Sequence, residues 1–517
     1  MEFEKPQKIL IYIVRRELRL TDNPILHHIS SQLSKTQVQI PYTHLLPIYV
    51  FPARQIEICG FLSPDHANLL NLNASNEHNK HNDSGNHIKT SKSPSATESP
   101  YPPARSLVGS FPRCGPHRAK FWAESVWDFK TSLESVGSGL VLRVGRIDDI
   151  LEHVLNSFTQ ASKKGDMKYQ VVGVWITAEE GVAEKTDERN VFRVAGAKGV
   201  PVKVWKDEKF LIDDRDLPYV TPKDIPDSYS DFKKAVSHPR EAPRKTLPRP
   251  DILPPLPTFI PPQPAPFTVP DRLEDWISHL IKPLKDDPIL VATSTPPSSA
   301  NADKLKFHGG EAYALQHLEG LISSGRISPC NYNSSGEIHI NLAAWLALGC
   351  ITARQIHEYL KHFEDGTTSL GRYALGYQQG PNKRTAAVRE ELLWRDYLRL
   401  CTRKYGSKLF RLEGFKGDST RLWKHADDPE VRKLVVSFME GNTGDKVVDG
   451  VLREMYWTGH IAEKERWIAA RYFGRELGID WRIGAEWFEY CLVDYDVSGN
   501  WGGWQYCVGV GIDANIK

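Results

Sequence analysis

The sequence has few cysteines, and none of them are closely paired. Seven cysteines are scattered over 517 residues, and no CxxC pair occurs. This spacing argues against a disulfide framework and against a cysteine-based zinc site, and it is typical of a protein from a reducing compartment. We therefore expect no metal centre.

Long apolar runs are missing, and so is a strong net charge. No apolar stretch approaches transmembrane length, and the charged start MEFEKPQK lacks the apolar core of a secretory signal. Lys and Arg number 66 against 64 Asp and Glu, so any nucleic-acid surface must be local. We expect a soluble intracellular protein, in the nucleus or cytoplasm, that does not bind a membrane.

Strand-like and helical segments alternate over the first two hundred residues. Helical spacing of apolar residues, as from Phe121 to Val136, separates the apolar runs, and this alternation predicts a doubly wound parallel sheet. Asp22 or Asn23 is expected to cap the first helix, with Pro24 at its first position. No GxGxxG follows a strand, so a dinucleotide is not expected on this half. The predicted strands are Lys8–Val14, Leu45–Phe51, Leu140–Gly145, Val171–Thr177 and Val200–Lys206.

Composition divides the chain into three parts. Residues 1–217 form the predicted α/β domain, interrupted at 65–103 by a polar stretch that predicts a disordered insertion. Residues 218–299 are rich in proline and predict an extended connector that spans rather than packs. Residues 300–517 show helical patterns, among them a capping box at Thr352–Gln355, and predict an all-helical domain that encloses a ligand between its helices.

The segment Trp481–Cys507 combines four tryptophans with polar side chains, including Asp494, Asp496 and Asn500. Rings with N–H groups beside carboxylates suit a buried, planar, polar ligand. An aromatic-rich core is the alternative, and the residue types support both about equally. Arg466 is a candidate to form an ion pair with Asp494 across two helices.

A row of arginines follows one face of a predicted helix. Arg395, Arg399 and Arg403 lie four residues apart, and Glu391 shares their face. Guanidinium groups in a row match the spacing of phosphates. A solvated charged face is favoured for Arg399 and Arg403, and a functional contact for Arg395, which follows Trp394.

Five long motifs follow one another along nearly the whole chain: IYIVRRELRLTDNP, THLLPIYVFPARQIE, RCGPHRAKF, ELLWRDYLRL and GIDWRIGAEWFEYCLVDYDVSGNWGGWQY. Together they resemble the photolyase–cryptochrome family, most closely cryptochrome DASH. The resemblance implies an α/β antenna domain, a long connector and a helical FAD-binding domain. It also implies light-driven repair of cyclobutane pyrimidine dimers, mainly in single-stranded DNA. The alternative is a blue-light receptor with signalling partners and little or no repair. A monomer is expected by analogy.

The resemblance also implies roles at matching positions. The dimer pocket and catalytic set are Glu391, Trp394, Tyr506 and Asn500, the last also facing the flavin N5 edge. The cofactor-binding set is Arg395, Arg466, Asp494, Asp496, Asn500, Asn341 and Leu342. The electron-transfer chain is Trp504, Trp481 and Trp423, from proximal to distal. Glu179 or Glu180 corresponds to the carboxylate that holds the pterin of a 5,10-methenyltetrahydrofolate antenna.

Three departures from the family pattern bear on function. The segment His339–Ala344, before Trp345, lacks the hydroxyl groups that usually bind the FAD diphosphate, which predicts weaker FAD binding. Glu463 and Trp467 stand where the family usually has Asn and a smaller or amide residue, and we expect them to impair dimer repair if they point inward. Glu390 replaces a usual aromatic residue and is expected to be a surface change.

Overall fold

The computed structural model describes residues 5–34, 40–63, 99–164, 167–236, 240–285, 308–325 and 342–513. Only residues 99–103 of the predicted insertion fall within these ranges, and Asn341 lies outside them.

Five parallel strands form one sheet in the order β3-β2-β1-β4-β5. The central strand β1 is buried on both faces, because Ile9, Ile11 and Ile13 point into one core while Leu10 and Tyr12 point into another. The predicted doubly wound sheet is confirmed. The strands are β1 (Gln7–Val14), β2 (His44–Pro52), β3 (Val141–Gly145), β4 (Tyr169–Thr177) and β5 (Val202–Trp205).

Helices cover the sheet and build most of the C-terminal half. Those associated with the sheet and the following segment are α1 (Pro24–Leu33), α2 (Pro116–Ser135), α3 (Ile147–Lys164), α4 (Val182–Ala197), α5 (Tyr229–Ala235) and α6 (Leu273–Lys285). The C-terminal helices are α7 (Glu311–Ser323), α8 (Ala343–Leu348), α9 (Ala353–Asp365), α10 (Lys383–Tyr405), α11 (Pro429–Met439), α12 (Lys446–Thr458), α13 (Glu463–Arg471), α14 (Trp481–Cys491) and α15 (Val497–Val508). None of the helices described has the length and apolar character needed to cross a bilayer.

The predicted helix starts are largely confirmed. Asn23, rather than Asp22, caps α1, and its side chain accepts from the backbone N–H groups of Ile25 and Leu26 at 3.1 Å. Asp22 instead has a left-handed φ of 58°, and its carboxylate forms a buried ion pair with Arg354 of α9. The capping box at Thr352 is present. Asp22 therefore links the start of α1 to the start of α9.

The prediction that residues 218–299 span without packing is wrong for α6. Trp276 of this helix is 1% exposed and lies with its ring centroid 4.9 Å from that of Phe51 and 4.8 Å from that of Phe61. The proline-rich composition did not predict this packing, because α6 is a short helix with an apolar face and the segments around it are rich in proline.

Helix α10 connects the helical part to the α/β part. Its Asp396 accepts from the Ile212 backbone N–H at 2.9 Å. Arg399 is 5% exposed and lies 3.0 Å from Asp214, which also pairs with Arg403. The predicted solvated face is therefore wrong for these two arginines, which form ion pairs across the two parts.

Candidate functional site

The C-terminal helices enclose a large cavity that is open at one end. Its empty volume, including the open mouth, is about 1390 Å³. The walls come from α8, α9, α10, α13, α14, α15 and the segment 460–462. The positions selected from the sequence that lie on these walls are Leu342, Glu391, Trp394, Arg395, Arg466, Asp494, Asp496, Asn500, Trp504 and Tyr506.

An ion pair crosses one wall of the cavity. Arg466 of α13 places Nη2 2.6 Å from Oδ2 of Asp494, and it also donates to the Ile461 carbonyl at 3.1 Å. This is the pair that the sequence suggested. The other carboxylate oxygen of Asp494, Oδ1, is buried and has no hydrogen-bond partner among the described residues. Asp494 therefore retains an acceptor for a polar ligand.

The start of α15 forms a second wall. Asp496 caps this helix by accepting from the Gly499 N–H at 2.9 Å. Asn500, Gly503 and Trp504 follow at spacings of three and four residues, which places them on one helix face. The Asn500 amide donates to the Ala485 carbonyl at 2.9 Å, so its orientation is fixed by α14. Gly503 leaves open space above the backbone on this face.

Arg395 provides the cationic end of the cavity. Its Nη2 donates to the Leu346 carbonyl at 3.0 Å, while Nη1 is buried without a partner among the described residues. Leu342 lines the same region and precedes α8, a helix of only six residues. The segment before α8 has no side-chain hydroxyl group to donate to a phosphate. Arg395 is therefore a candidate donor to a phosphate here.

The aromatic rings of three residues cluster on the cavity wall. Trp394 and Tyr506 meet edge to face with centroids 5.5 Å apart, and Trp467 lies 5.9 Å from Tyr506 on the other side. Glu391 stands one helical turn before Trp394 and also lines the cavity. Trp467 is 37% exposed, so it lies where the cavity meets solvent.

Glu463 contributes negative charge to the same wall. Burial raises the pKa of Cys507 to about 12, and the Glu463 carboxylate adds to that rise. The pKa of Tyr506 is raised by burial and by nearby acidic groups, including Glu463. The negative charge of Glu463 therefore acts on two residues that line the cavity, Tyr506 and Cys507.

The three predicted electron-transfer indoles lie on connected segments. The Trp504 ring packs so closely on α14 that a Cβ at Gly484 would overlap it. Trp481 begins that helix, one turn before Gly484, and is fully buried. Trp423 precedes Lys424, whose backbone pairs with the segment just before Trp481 through hydrogen bonds of 2.9 Å. Their roles stay a prediction.

Sequence reasoning missed the residue that covers Trp423. The Arg421 guanidinium lies 4.2 Å from the Trp423 ring centroid and is held by the carbonyl oxygens of Val508 and Gly474. Trp423 is only 9% exposed. The sequence shows that Arg421 and Trp423 are two residues apart. It does not show that Arg421 is fixed over the ring, because the two carbonyl groups that hold it belong to segments distant in the sequence.

Glu179 and Glu180 line a second, smaller cavity, with Arg395 and Asp496 between it and the first. Glu179 lies 2.7 Å from the Lys209 ammonium. Burial alone would raise the pKa of Glu179, but Lys209 and neighbouring arginines lower it to about 2. Glu180 is paired with Arg403. A pterin held by either carboxylate would therefore have to share that carboxylate with its cation.

The first cavity fits a planar polar cofactor. Three of its lining residues carry a buried polar atom without a partner in the described part of the chain, namely Asp494 Oδ1, Arg395 Nη1 and Trp504 Nε1. Such atoms are rare in native proteins unless a ligand or water satisfies them. Their mixture of acceptor, cation and indole donor suits a flavin and its phosphates.

Comparison with known proteins agrees with this fit. Residues 388–516 match the FAD binding domain of DNA photolyase. A Neurospora crassa protein provisionally named cryptochrome DASH, mitochondrial, is 39% identical over 98% of this chain and 66% of its own length. A Gibberella zeae protein provisionally named cryptochrome DASH is 39% identical over 99% of this chain and 70% of its own length. The structure of a Synechocystis cryptochrome covers 99% of this chain and 84% of its own, with 25% identity and a TM-score of 0.69.

The chain therefore belongs to the photolyase–cryptochrome family, with an α/β domain followed by a helical FAD-binding domain. Within that family it is a cryptochrome DASH-type FAD flavoprotein.

Proposed function

We propose that the protein repairs cyclobutane pyrimidine dimers, mainly in single-stranded DNA, in a light-driven reaction. The observation that supports this most directly is the grouping of Glu391, Trp394 and Tyr506 on one wall of the cavity that fits FAD. FAD bound in this cavity in its reduced form would supply the electron for opening the cyclobutane ring and would take that electron back.

The chain's own residues would hold the flipped dimer. Trp394 and Tyr506 present rings at 70° to each other, so one base plane can lie on each. Glu391 supplies a carboxylate that can accept from an imide N–H. Asn500 lies on α15, the helix that also carries Tyr506, and its amide is fixed by the Ala485 carbonyl.

The second candidate function is a blue-light receptor that binds signalling partners and has little repair activity. It is favoured by Trp467 and Glu463, which line the same cavity as the dimer-binding set. The Trp467 ring lies against Tyr506 and takes space at the mouth, and Glu463 adds negative charge that opposes the approach of phosphates.

Two adjacent acids allow a sharp test. The purified flavoprotein is illuminated with a dimer-containing oligonucleotide, and the dimers that remain are counted. We expect Glu391→Gln to lower repair about 10- to 100-fold, because a hydrogen bond to a charged group is weakened. Glu390→Gln is the matched control, since Glu390 pairs with Tyr229 and Lys233 instead. Flavin photoreduction without any loss of dimers in the wild-type protein would exclude repair and support the receptor.

The antenna is proposed separately. We propose 5,10-methenyltetrahydrofolate in the second cavity, with low occupancy, because the pterin would have to share Glu180 with its cation Arg403. The measurement is folate released per protein on denaturation. Arg403→Ala should raise it, and equal, negligible folate in both proteins would exclude this site.

A further inference from the structure

We infer that single-stranded DNA flanking the dimer binds a surface patch formed by Arg372, Tyr373, Leu375, Lys383 and Arg384. We call this the α10 entry patch. It rests on the proposed function, because it supplies a further contact for the same substrate.

The patch exposes two large apolar side chains. Tyr373 is 87% exposed and Leu375 is 80% exposed. The Arg372 guanidinium lies 4.5 Å from the Tyr373 ring centroid. A ring backed by a cation is a platform on which any base can stack, and such platforms are typical of proteins that bind single strands without sequence preference.

The charge of the patch is of one sign. Residues 366–384 contain Arg372, Lys383 and Arg384 and no acidic residue. The two acidic residues just before this segment form ion pairs with other arginines. Glu364 pairs with Arg389 at 2.7 Å, and Asp365 pairs with Arg240.

Two of the three cations of the patch are available to a ligand, while Arg384 donates to the Gly325 carbonyl at 3.2 Å. Arg372 and Lys383 form no ion pair within the described residues. In a chain whose total charge is nearly balanced, such a local surface is where phosphates would bind.

The patch is held in a defined shape. The Tyr377 hydroxyl donates to the Thr368 carbonyl at 2.6 Å, and the Gln378 N–H donates to the Phe363 carbonyl at 3.1 Å. Asn382 caps α10 by accepting from the backbone N–H groups of Arg384 and Thr385. The patch is therefore preorganised, which lowers the ordering cost of binding.

Helix α10 fixes the distance from the patch to the cavity. Glu391 follows Arg384 by seven residues, which is two helical turns, about 10 Å along the axis on nearly the same face. A single strand advances roughly 3.4 Å or more per nucleotide, so Arg384, at the end of the patch on α10, would lie within about three nucleotides of a dimer held at Glu391.

The test measures binding of an undamaged, labelled oligothymidine in the dark, by fluorescence anisotropy over a range of salt concentrations. We expect Lys383→Gln combined with Arg384→Gln to reduce the slope of log affinity against log salt by about 0.7 to 1.4, because each lost phosphate contact on a single strand contributes about 0.7. Tyr373→Ala should weaken binding about 5- to 150-fold through lost stacking.

Arg432→Gln combined with Lys433→Gln is the matched control, since it removes the same charge from an exposed pair near the start of α11. It should leave the slope unchanged. Equal slopes for both double variants would overturn the patch, as would wild-type binding by Tyr373→Ala.

Failure of the patch is distinguishable from failure of the proposed function. Patch-dependent binding by a wild-type protein that removes no dimers in light overturns repair and leaves the patch standing. If the wild type removes dimers and the patch variants bind oligothymidine as the wild type does, the patch is overturned and the repair function stands.

Discussion

Nη2 of Arg466 lies 2.6 Å from Oδ2 of Asp494 on the wall of the flavin-sized cavity, and the second oxygen of Asp494 has no partner among the described residues. Asp494→Asn removes the charge that holds Arg466 and leaves one acceptor oxygen in place of two, so Arg466 and the cofactor can no longer each face an acceptor. We expect less flavin per protein and a fall in unfolding free energy of about 1–3 kcal/mol, below the value for a fully buried pair because Arg466 is 26% exposed.

The measurement combines the ratio of flavin to protein absorbance with urea unfolding. Glu430→Gln is the control, because it breaks the pair of Glu430 with Lys433, whose side chains are 77% and 72% exposed. It should change stability by less than about 0.5 kcal/mol. Full flavin content and unchanged stability in Asp494→Asn would show that the Arg466–Asp494 pair contributes neither to flavin binding nor to the stability of the fold.

The indole next to the cavity should control photoreduction. Trp504 lines the cavity, whereas Trp487 is equally buried and packs against Phe111 and Tyr490 away from it. We expect Trp504→Phe to slow flavin photoreduction at least about tenfold, because phenylalanine is much harder to oxidise. Trp487→Phe should keep the wild-type rate. The rate of flavin bleaching under blue light with an external thiol measures both, and equal rates would mean that electrons enter by another route.

Arg421 should restrain the same chain of indoles. A fixed cation 4.2 Å from the Trp423 ring centroid opposes the positive charge that the ring would carry after oxidation. We expect Arg421→Met to speed photoreduction about two- to tenfold, after discounting the Coulomb energy for partial exposure. The same bleaching assay applies, with Arg432→Met as the control on an exposed arginine of α11. A slower or unchanged rate would contradict this role.

The sheet and the helix starts were predictable because their signals are local. The run from Lys8 to Val14 is short and apolar at every position but the first, which is typical of a strand buried on both faces. Asn23 and Thr352 cap helices through contacts two or three residues away. Such features need no knowledge of the rest of the chain.

The ion pairs of α10 were not predictable because their partners are far apart in sequence. Arg399 and Arg403 meet Asp214, which precedes them by 185 and 189 residues. A stripe of arginines on one helix face looks the same whether it meets water, phosphate or carboxylates. The resemblance to a family supplied the positions that line the cavity, but it could not show that Glu180 is already paired with Arg403.

Asp396 should make stability depend on pH in an unusual direction. Burial raises the pKa of Asp396 to about 6, although the Arg399 guanidinium acts against that rise. In the unfolded chain an aspartate has a pKa of about 3.9. Between these two values the folded protein binds more protons than the unfolded chain, so this group's contribution to stability falls as the pH rises through that window.

Asp396→Asn removes this titration and keeps a side-chain oxygen to accept from the Ile212 N–H. We expect the variant to gain stability relative to the wild type as the pH rises from about 4 to about 7, measured by urea unfolding at each pH. Asp428→Asn is the control, since Asp428 is an exposed N-cap whose side-chain oxygen accepts from the Glu430 N–H. A constant difference between Asp396→Asn and the wild type over this range would mean that Asp396 is already ionised at pH 4, so that its contact with Arg399 outweighs its burial.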